Sequence, residues 1–312
     1  MKHEIVLVTG ATGFIGSHLV QYLLARHYQV IALTRRATPP FEQQNLSWIG
    51  DFNEITFAQI DYVINLAGES IGQGRWSKAR KKTLMDSRIE TTHALYRYLE
   101  QHKIYPKCII SGSAVGYYGI DPTEQWQQNC TEQADSQTIF MSELCQYWER
   151  SALSFFRQNT KIIRMGIVFG QNGGILGQML LPIKLNLFGR MGHGRQPLVW
   201  VHLEDVLSAI EFLMQHDTAH DIFNLVAPSK NRQYQFAKFA AQQLNRKPFF
   251  SLPSTLLKYI LGEQSQLILN GQFVTPYALE QAGFQFKFTQ LEAALSDLLP
   301  SRSTQGLEHE GD

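Results

Sequence analysis

The stretch Ile5-Val6-Leu7-Val8-Thr9-Gly10-Ala11-Thr12-Gly13-Phe14-Ile15-Gly16 decides the reading of this chain, and Ser17-His18-Leu19-Val20-Gln21-Tyr22-Leu23-Leu24 continues it. An apolar run, a turn with three glycines and an amphipathic segment predict a buried strand, a tight loop and a helix, in that order. A dinucleotide needs that order of elements. Gly10 permits the tight turn, Gly13 lets the backbone approach a pyrophosphate, and Gly16 lets the helix lie close to the strand, so phosphate oxygens meet the helix N-terminus. Thr12, Phe14 and Ile15 share the loop and join the glycines as cofactor-binding candidates. Three glycines alone also occur in incidental turns; the flanking strand and helix give the motif its meaning.

The bulk properties restrict the partners. A chain of 312 residues can bury a large core, either as one domain or as a nucleotide domain with a smaller lobe. Its 28 Lys and Arg balance 27 Asp and Glu, so no strong field favours nucleic acid or an anionic membrane, and a small-molecule substrate is expected. The first strand begins too early for a signal peptide, and no uninterrupted apolar run reaches the roughly 18 residues of a membrane span. A cytoplasmic location is therefore expected. Cys108, Cys130 and Cys145 lack metal-like spacing, which predicts neither a metal site nor a disulfide framework.

The Gly-x-x-Gly-x-x-Gly spacing resembles the extended short-chain dehydrogenase/reductase superfamily. Val30-Ile31-Ala32-Leu33 reads as a second buried strand, and Thr34-Arg35-Arg36 follows it where NAD-specific folds place a carboxylate for the ribose 2′-hydroxyl. Two guanidinium groups there suit a 2′-phosphate, so NADP(H) is expected in preference to NAD(H); a solvated basic turn is the alternative. Asp51 ends a short third strand, where the resemblance implies a carboxylate meeting the adenine amino group. Tyr62-Val63-Ile64 begins a fourth strand, and Asn65, Leu66, Ala67 and Gly68 at its end are expected to form the cofactor floor.

Further along, Arg75 and Trp76 lie in a glycine-rich loop before a helix over about 78–102 and are candidates for an anionic or planar ligand. Lys78, Lys81 and Lys82 read as a solvated face. Arg88 shares a helix face with Leu84, Thr92, Leu95 and Leu99, so it points inward, where an arginine needs a carboxylate or phosphate partner.

Cys108-Ile109-Ile110-Ser111-Gly112-Ser113 forms a fifth strand, and Ala114 to Gly119 the loop where chemistry is expected. Ser113, at the start of that loop, is preferred over Ser111 as the hydroxyl that holds a reacting oxygen. The superfamily's Tyr-x-x-x-Lys is absent from the next helix: by position Phe140 replaces the tyrosine and Leu144 the lysine. Tyr117, Tyr118 and Glu143 remain as proton-transfer candidates, and Tyr117 is the provisional acid; the alternative for both tyrosines is a wall of the substrate site. Glu143 is otherwise a partner for Arg88 or Arg164.

Asn65-Leu66-Ala67-Gly68-Glu69, Arg75-Trp76, Ser87-Arg88, Ser113 to Gly119, and Cys145 with Trp148-Glu149 together resemble the atypical, epimerase-like short-chain reductases, among them proteins described as nucleoside-diphosphate-sugar epimerases. That family also departs from Tyr-x-x-x-Lys, so the resemblance implies the fold and leaves activity open. Lys161 to Gly170 reads as a sixth strand, with Gly166 backing the nicotinamide. Arg190 and Arg195 lie in a glycine-rich loop suited to clamping phosphate or carboxylate, with a basic surface loop as the alternative. Glu204 or Asp205 is expected to cap the following helix, with His202 structural.

The predicted fold class is therefore α/β, a Rossmann-like doubly wound parallel sheet with a small C-terminal substrate lobe. Residues 1–170 form the NADP(H)-binding domain, whose core also uses about 197–226. Residues 171–300 are mainly substrate lobe, including a family extension over about 249–299, and 301–312 are a polar, disordered tail. The expected function is NADP(H)-dependent oxidoreductase or epimerase chemistry on a carbonyl or hydroxyl compound, anionic or a sugar nucleotide. Arg75, Trp76, Arg88, Tyr118 and Arg195 are the substrate candidates. The alternative is a non-catalytic NADP(H)-binding sensor or interaction protein. Members of the superfamily often dimerise beside the fifth strand, so a homodimer is among the expectations.

Overall fold

Alternation along the first strand sets the layers. In the computed structural model, described for residues 3–57, 59–248 and 250–299, β1 (Ile5–Thr9) is buried throughout. Successive side chains point to opposite faces. Val6 and Val8 meet Leu19 and Leu23 of helix α1 (Phe14–Ala25) on one face, whereas Leu7 belongs to the core on the other. A strand apolar at every position must be covered on both sides.

The remaining strands of the sheet are β2 (Gln29–Leu33), β3 (Leu46–Ile49), β4 (Tyr62–Asn65), β5 (Cys108–Ala114), β6 (Thr160–Met165) and β7 (Ile222–Leu225). They form one seven-stranded parallel sheet in the order β7-β6-β5-β4-β1-β2-β3. The order reverses at β1, which puts a crevice outside the carboxyl ends of β1 and β4. Helices α2 (Lys78–Gln101) and α3 (Phe140–Leu153) cover the Leu7 face, where Leu95, Leu99 and Ala152 pack on Ile109 and Ile162. With α4 (Leu176–Lys184) following in the chain, α5 (Leu203–Gln215) joins α1 on the Val6 face.

The sixth predicted strand is two. β6 stops at Met165, and Ile167–Phe169 then pairs with Trp200–His202 in a separate ribbon. Beyond it, α4, α6 (Gln233–Gln243) and a late helix over Leu291–Leu298 enclose a second core around Phe169, Trp200 and Phe236. Part of the C-terminal stretch turns back: Ala278, Leu279 and Phe284 pack into the core beneath the main sheet. Helix α7 (Ser254–Leu261) leads into the turn Gly262–Ser265. The tail expectation for 301–312 lies outside the described residues. No helix among the described residues is long and apolar enough to cross a membrane.

Candidate functional site

The glycine turn is built by close approach. Gly10 has φ +70°, and a Cβ on it would lie 2.7 Å from the Leu66 carbonyl carbon. A Cβ on Gly16 would lie 2.1 Å from the Gly10 carbonyl oxygen, so neither position accepts a side chain. Gly13 is the N-cap of α1; it is exposed, has no side chain to cap the helix, and no acidic residue occupies the first turn. The helix therefore begins with free backbone N–H groups facing outward at the sheet's switch point, a cradle that fits a pyrophosphate. Thr9 and Asn65 lock its floor: Thr9 Oγ1 donates to Asn65 Oδ1 at 2.8 Å, and Ala67 N donates to Thr9 Oγ1 at 3.3 Å.

Other cofactor candidates are placed less uniformly. Arg35 leaves β2 with 89% of its side chain exposed, its Nη2 lying 3.1 Å from Glu69 Oε1. Arg36 is exposed beside it, its backbone N–H held by Thr34 Oγ1. Arg80 also reaches Glu69, and the two arginines hold that carboxyl below the usual carboxylate range, the Arg35 hydrogen bond being the largest cause. Asp51 sits at the end of β3, where its carboxylate caps the turn Phe52–Glu54 through Asn53 N and Nδ2. Phe14 and Ile15 are half-buried; the Phe14 ring fills the space over Gly173 and Gly174 rather than the phosphate cradle. At Gly166 a Cβ would lie 2.8 Å from the Val199 carbonyl oxygen, so the close approach of that segment requires a glycine.

The loop expected to carry chemistry follows β5, and its geometry reassigns two residues. Ser113 is 1% exposed and donates to Glu149 Oε1 at 2.6 Å, which commits its proton within the protein. Glu149 in turn receives Arg164 Nε and Nη2, both at 2.8 Å. Arg164 Nη1 donates to the Tyr118 hydroxyl at 2.9 Å, and that hydroxyl donates to Asn224 Oδ1 at 2.6 Å. Tyr118, expected to touch substrate, is thus an interior residue; burial pushes its phenol up to about 12 despite Arg164. Burial also opposes the charge on Arg164, but hydrogen bonding and attraction from Glu149 outweigh it and raise its pKa. Tyr117 is different. It is half-buried, its ring centroid lies 3.4 Å from Arg164 Cζ, and its hydroxyl has no hydrogen-bond partner among the described residues.

Helix α3 meets the loop one residue away from the expected register. A Cβ on Gly116 would lie 3.5 Å from Met141 Cβ and 3.8 Å from Cys145 Sγ, so Met141 and Cys145 face the loop. Phe140 instead packs edge-on against Trp76, and Leu144 is buried. Cys145 lies beside Ser113 and Ala114, with its thiol pushed up to about 11 chiefly by burial. Glu143 is exposed and pairs with neither Arg88 nor Arg164; Glu149 has that role for Arg164.

Of the substrate candidates, Trp76 is 8% exposed, donates Nε1–H to the Ile71 carbonyl, and belongs to a core with Leu84 and Met141. Arg75 is exposed and lies against Gly262; beside it Lys81 pairs with Glu263 at 2.5 Å, so the C-terminal stretch closes over this loop. Arg195 is exposed in the turn that follows the strand Phe188–Met191. Arg88 points inward as expected, but onto carbonyls: Nη1 reaches Leu84 O and Nη2 reaches Glu69 O, each at 3.0 Å. His202, rather than Glu204 or Asp205, caps α5 through Nδ1, while Asp205 receives the N–H groups of Lys287 and Phe288.

Asn224 and Glu132 are site residues that motif reading passes over, and Glu149 and Arg164, named there without a role, turn out to pair with each other. Helical spacing exposes one of them, since Met141, Cys145, Trp148 and Glu149 fall on the face of α3 that is buried. Glu132 is visible only in three dimensions: its carbonyl takes Arg164 Nη1, and its Oε1 takes the N–H groups of Asn224 and Ala278.

The comparisons with known proteins agree with this architecture. The model of the "NAD dependent epimerase/dehydratase family" matches residues 6–225, and a "Domain of unknown function (DUF1731)" matches residues 252–298. An epimerase family protein of Staphylococcus saprophyticus is 36% identical over 306 residues, covering 96% of this chain and all of its relative. A counterpart from Staphylococcus epidermidis is 34% identical over 298 residues, covering 94% of this chain and 98% of the other. Among solved structures, human epimerase family protein SDR39U1 (isoform 2), crystallised with NADPH, superposes with a TM-score of 0.84 at 31% identity, covering 94% of this chain and 98% of that one. By fold, glycine cradle and a family match over most of its length, the chain belongs to the NAD-dependent epimerase/dehydratase family.

Proposed function

We propose that the protein is an NADP(H)-dependent oxidoreductase or epimerase acting on a carbonyl or hydroxyl compound. The observation that carries this is the uncapped start of α1 beside an exposed arginine pair. Gly13 leaves N–H groups free for a pyrophosphate, and Arg35 reaches from the end of β2 with most of its side chain in solvent. The human relative crystallised with NADPH supports the choice of NADP(H) over NAD(H). When bound, the nicotinamide supplies hydride donor or acceptor chemistry.

The chain's own residues then provide the proton and the orientation. Tyr117 has the free phenol on the reaction loop, and we assign it the proton exchanged with substrate oxygen. Ser113 acts as a positioning residue, because its hydroxyl anchors the loop to Glu149 and Arg164. We further assign the protein a small-molecule substrate and a cytoplasmic location. A homodimer through the α3 side would cover the exposed Tyr147, Leu153 and Phe156. A second reading, NADP(H) binding without turnover, is favoured by Met141 and Cys145 at the positions facing the loop, where neither a phenol nor an ammonium is present.

Calorimetric titration with NADPH, NADP and NADH tests the assignment. NADPH should bind at least about tenfold more tightly than NADH, and Arg35→Ala should remove most of that difference. Absence of binding by all three ends the reading. NADPH binding without oxidation by any of a panel of carbonyl compounds, and with Tyr117→Phe indistinguishable from the parent, decides for the binding protein.

A further inference from the structure

Arg88 is 9% exposed, and among the described residues it forms no ion pair. Its two hydrogen bonds go to main-chain carbonyls, while a guanidinium carries five N–H groups. The neighbouring carboxylates are committed elsewhere: Glu69 to Arg35 and Arg80, and Glu149 to Arg164 and Ser113. Burial lowers the arginine's pKa, and the attractions from Cys145 and Glu69 do not restore it. A buried cation without a counter-charge is costly unless a ligand completes it.

Two features show where the missing partner belongs. The Trp148 ring lies 5.0 Å from Arg88 Cζ, and its Nε1–H is buried with no acceptor; Arg80 Nε, on the same helix, is orphaned too. The indole against Arg88 thus holds a buried donor without an acceptor. On the cleft side stands Gly68, exposed at the end of β4, and a Cβ there would lie 3.1 Å from Arg88 Cζ. Gly68 is absent from the glycines with positive φ, so the space taken by the arginine, rather than backbone conformation, explains its lack of a side chain. The guanidinium therefore packs directly against exposed Gly68, at the edge of the cofactor floor.

We infer that Arg88 is the receptor for an oxyanion of the substrate, a carboxylate in the first instance, bound beside Gly68. The location within a reactive cleft rests on the function proposed above; the anion site itself does not. The substrate, rather than the cofactor, is the assigned source because the phosphates already have Gly13 and Arg35, on the β1 and β2 side of the floor.

The test uses the full chain saturated with NADPH and titrated with malonate, with inorganic phosphate, and with uncharged malonamide. Malonate should bind where malonamide does not, and Arg88→Gln should raise its dissociation constant at least about tenfold, as expected for loss of a charge-assisted pair. Gly68→Val, whose side chain would displace the guanidinium packed against this glycine, should act in the same direction if Arg88→Gln fails to fold. NADPH affinity of Arg88→Gln should stay within about twofold of the parent. Equal malonate binding by parent and variant, or none by the parent, overturns the inference. Tighter binding of phosphate than malonate, combined with NADPH affinity lost in Arg88→Gln, gives the arginine to the cofactor and overturns the substrate assignment. Failure of NADPH to bind the parent breaks the proposed function instead, and malonate titration without cofactor still decides the anion site.

Discussion

Two buried arginines pack against the same stretch of α3, at Trp148 and Glu149, and the fold treats them oppositely. Arg164, 2% exposed, is closed off by a bidentate carboxylate, a phenol and a carbonyl. Arg88, 9% exposed, is met by two carbonyls and packs against the bare backbone of Gly68. The first joins β5, α3, β6 and β7 through Ser113, Glu149, Tyr118 and Asn224, so it is part of the scaffold. The second forms no ion pair among the described residues. A structural cation and a ligand-binding cation differ in who supplies the anion.

The largest effect should come from breaking the satisfied pair. Arg164→Met leaves Glu149 charged and buried, which costs about 3–5 kcal/mol. The double variant Glu149→Leu with Arg164→Met should regain most of that loss, because no uncompensated charge remains. Chemical denaturation of both variants checks it. A double variant no more stable than the single one would mean that the network, rather than the pair, holds the loop.

A smaller effect of opposite sign is expected at the unsatisfied cation. Arg88→Met keeps the length of the side chain and removes the buried charge, so the ligand-free protein should gain about 1–2 kcal/mol. Its midpoint should no longer rise with added malonate. If Arg88→Met instead loses stability to the extent Arg164→Met does, the two arginines are alike and the contrast fails.

The difference in legibility between the two sites has a physical cause. The glycine turn and the succession of strands and helices along the chain follow from short-range patterns, so residues such as Gly10, Gly16 and Leu84 are readable from the chain. Arg88 is readable as inward because helical period fixes its face. Its lack of an anion is not, because that depends on Glu69 and Glu149 being claimed by other arginines. Ser113 misled for a related reason: position at a strand end suggests access, whereas strand alternation and α3 together bury its hydroxyl against Glu149. The one-residue shift from Phe140 and Leu144 to Met141 and Cys145 is about 100° of helix rotation, finer than spacing alone resolves.

The smallest expected effect concerns Glu69, which links Arg88 to the exposed side of the floor: its carbonyl takes Arg88 while its carboxylate takes Arg35 and Arg80. Its folded pKa lies below the unfolded value, first because of the Arg35 hydrogen bond. The stability it contributes is therefore present above the unfolded pKa and lost as pH falls through the folded one. Exposed pairs of this kind contribute about 0.2–1 kcal/mol, and salt screens them. Glu69→Gln should accordingly destabilise slightly at neutral pH and not at all in acid, where the parent has already lost the interaction. The same carboxylate competes with a 2′-phosphate for Arg35, so the variant should bind NADPH about two- to threefold more tightly while NADH is unchanged. An equal change for both cofactors would place Glu69 outside that competition and leave Arg35 without its assigned ligand.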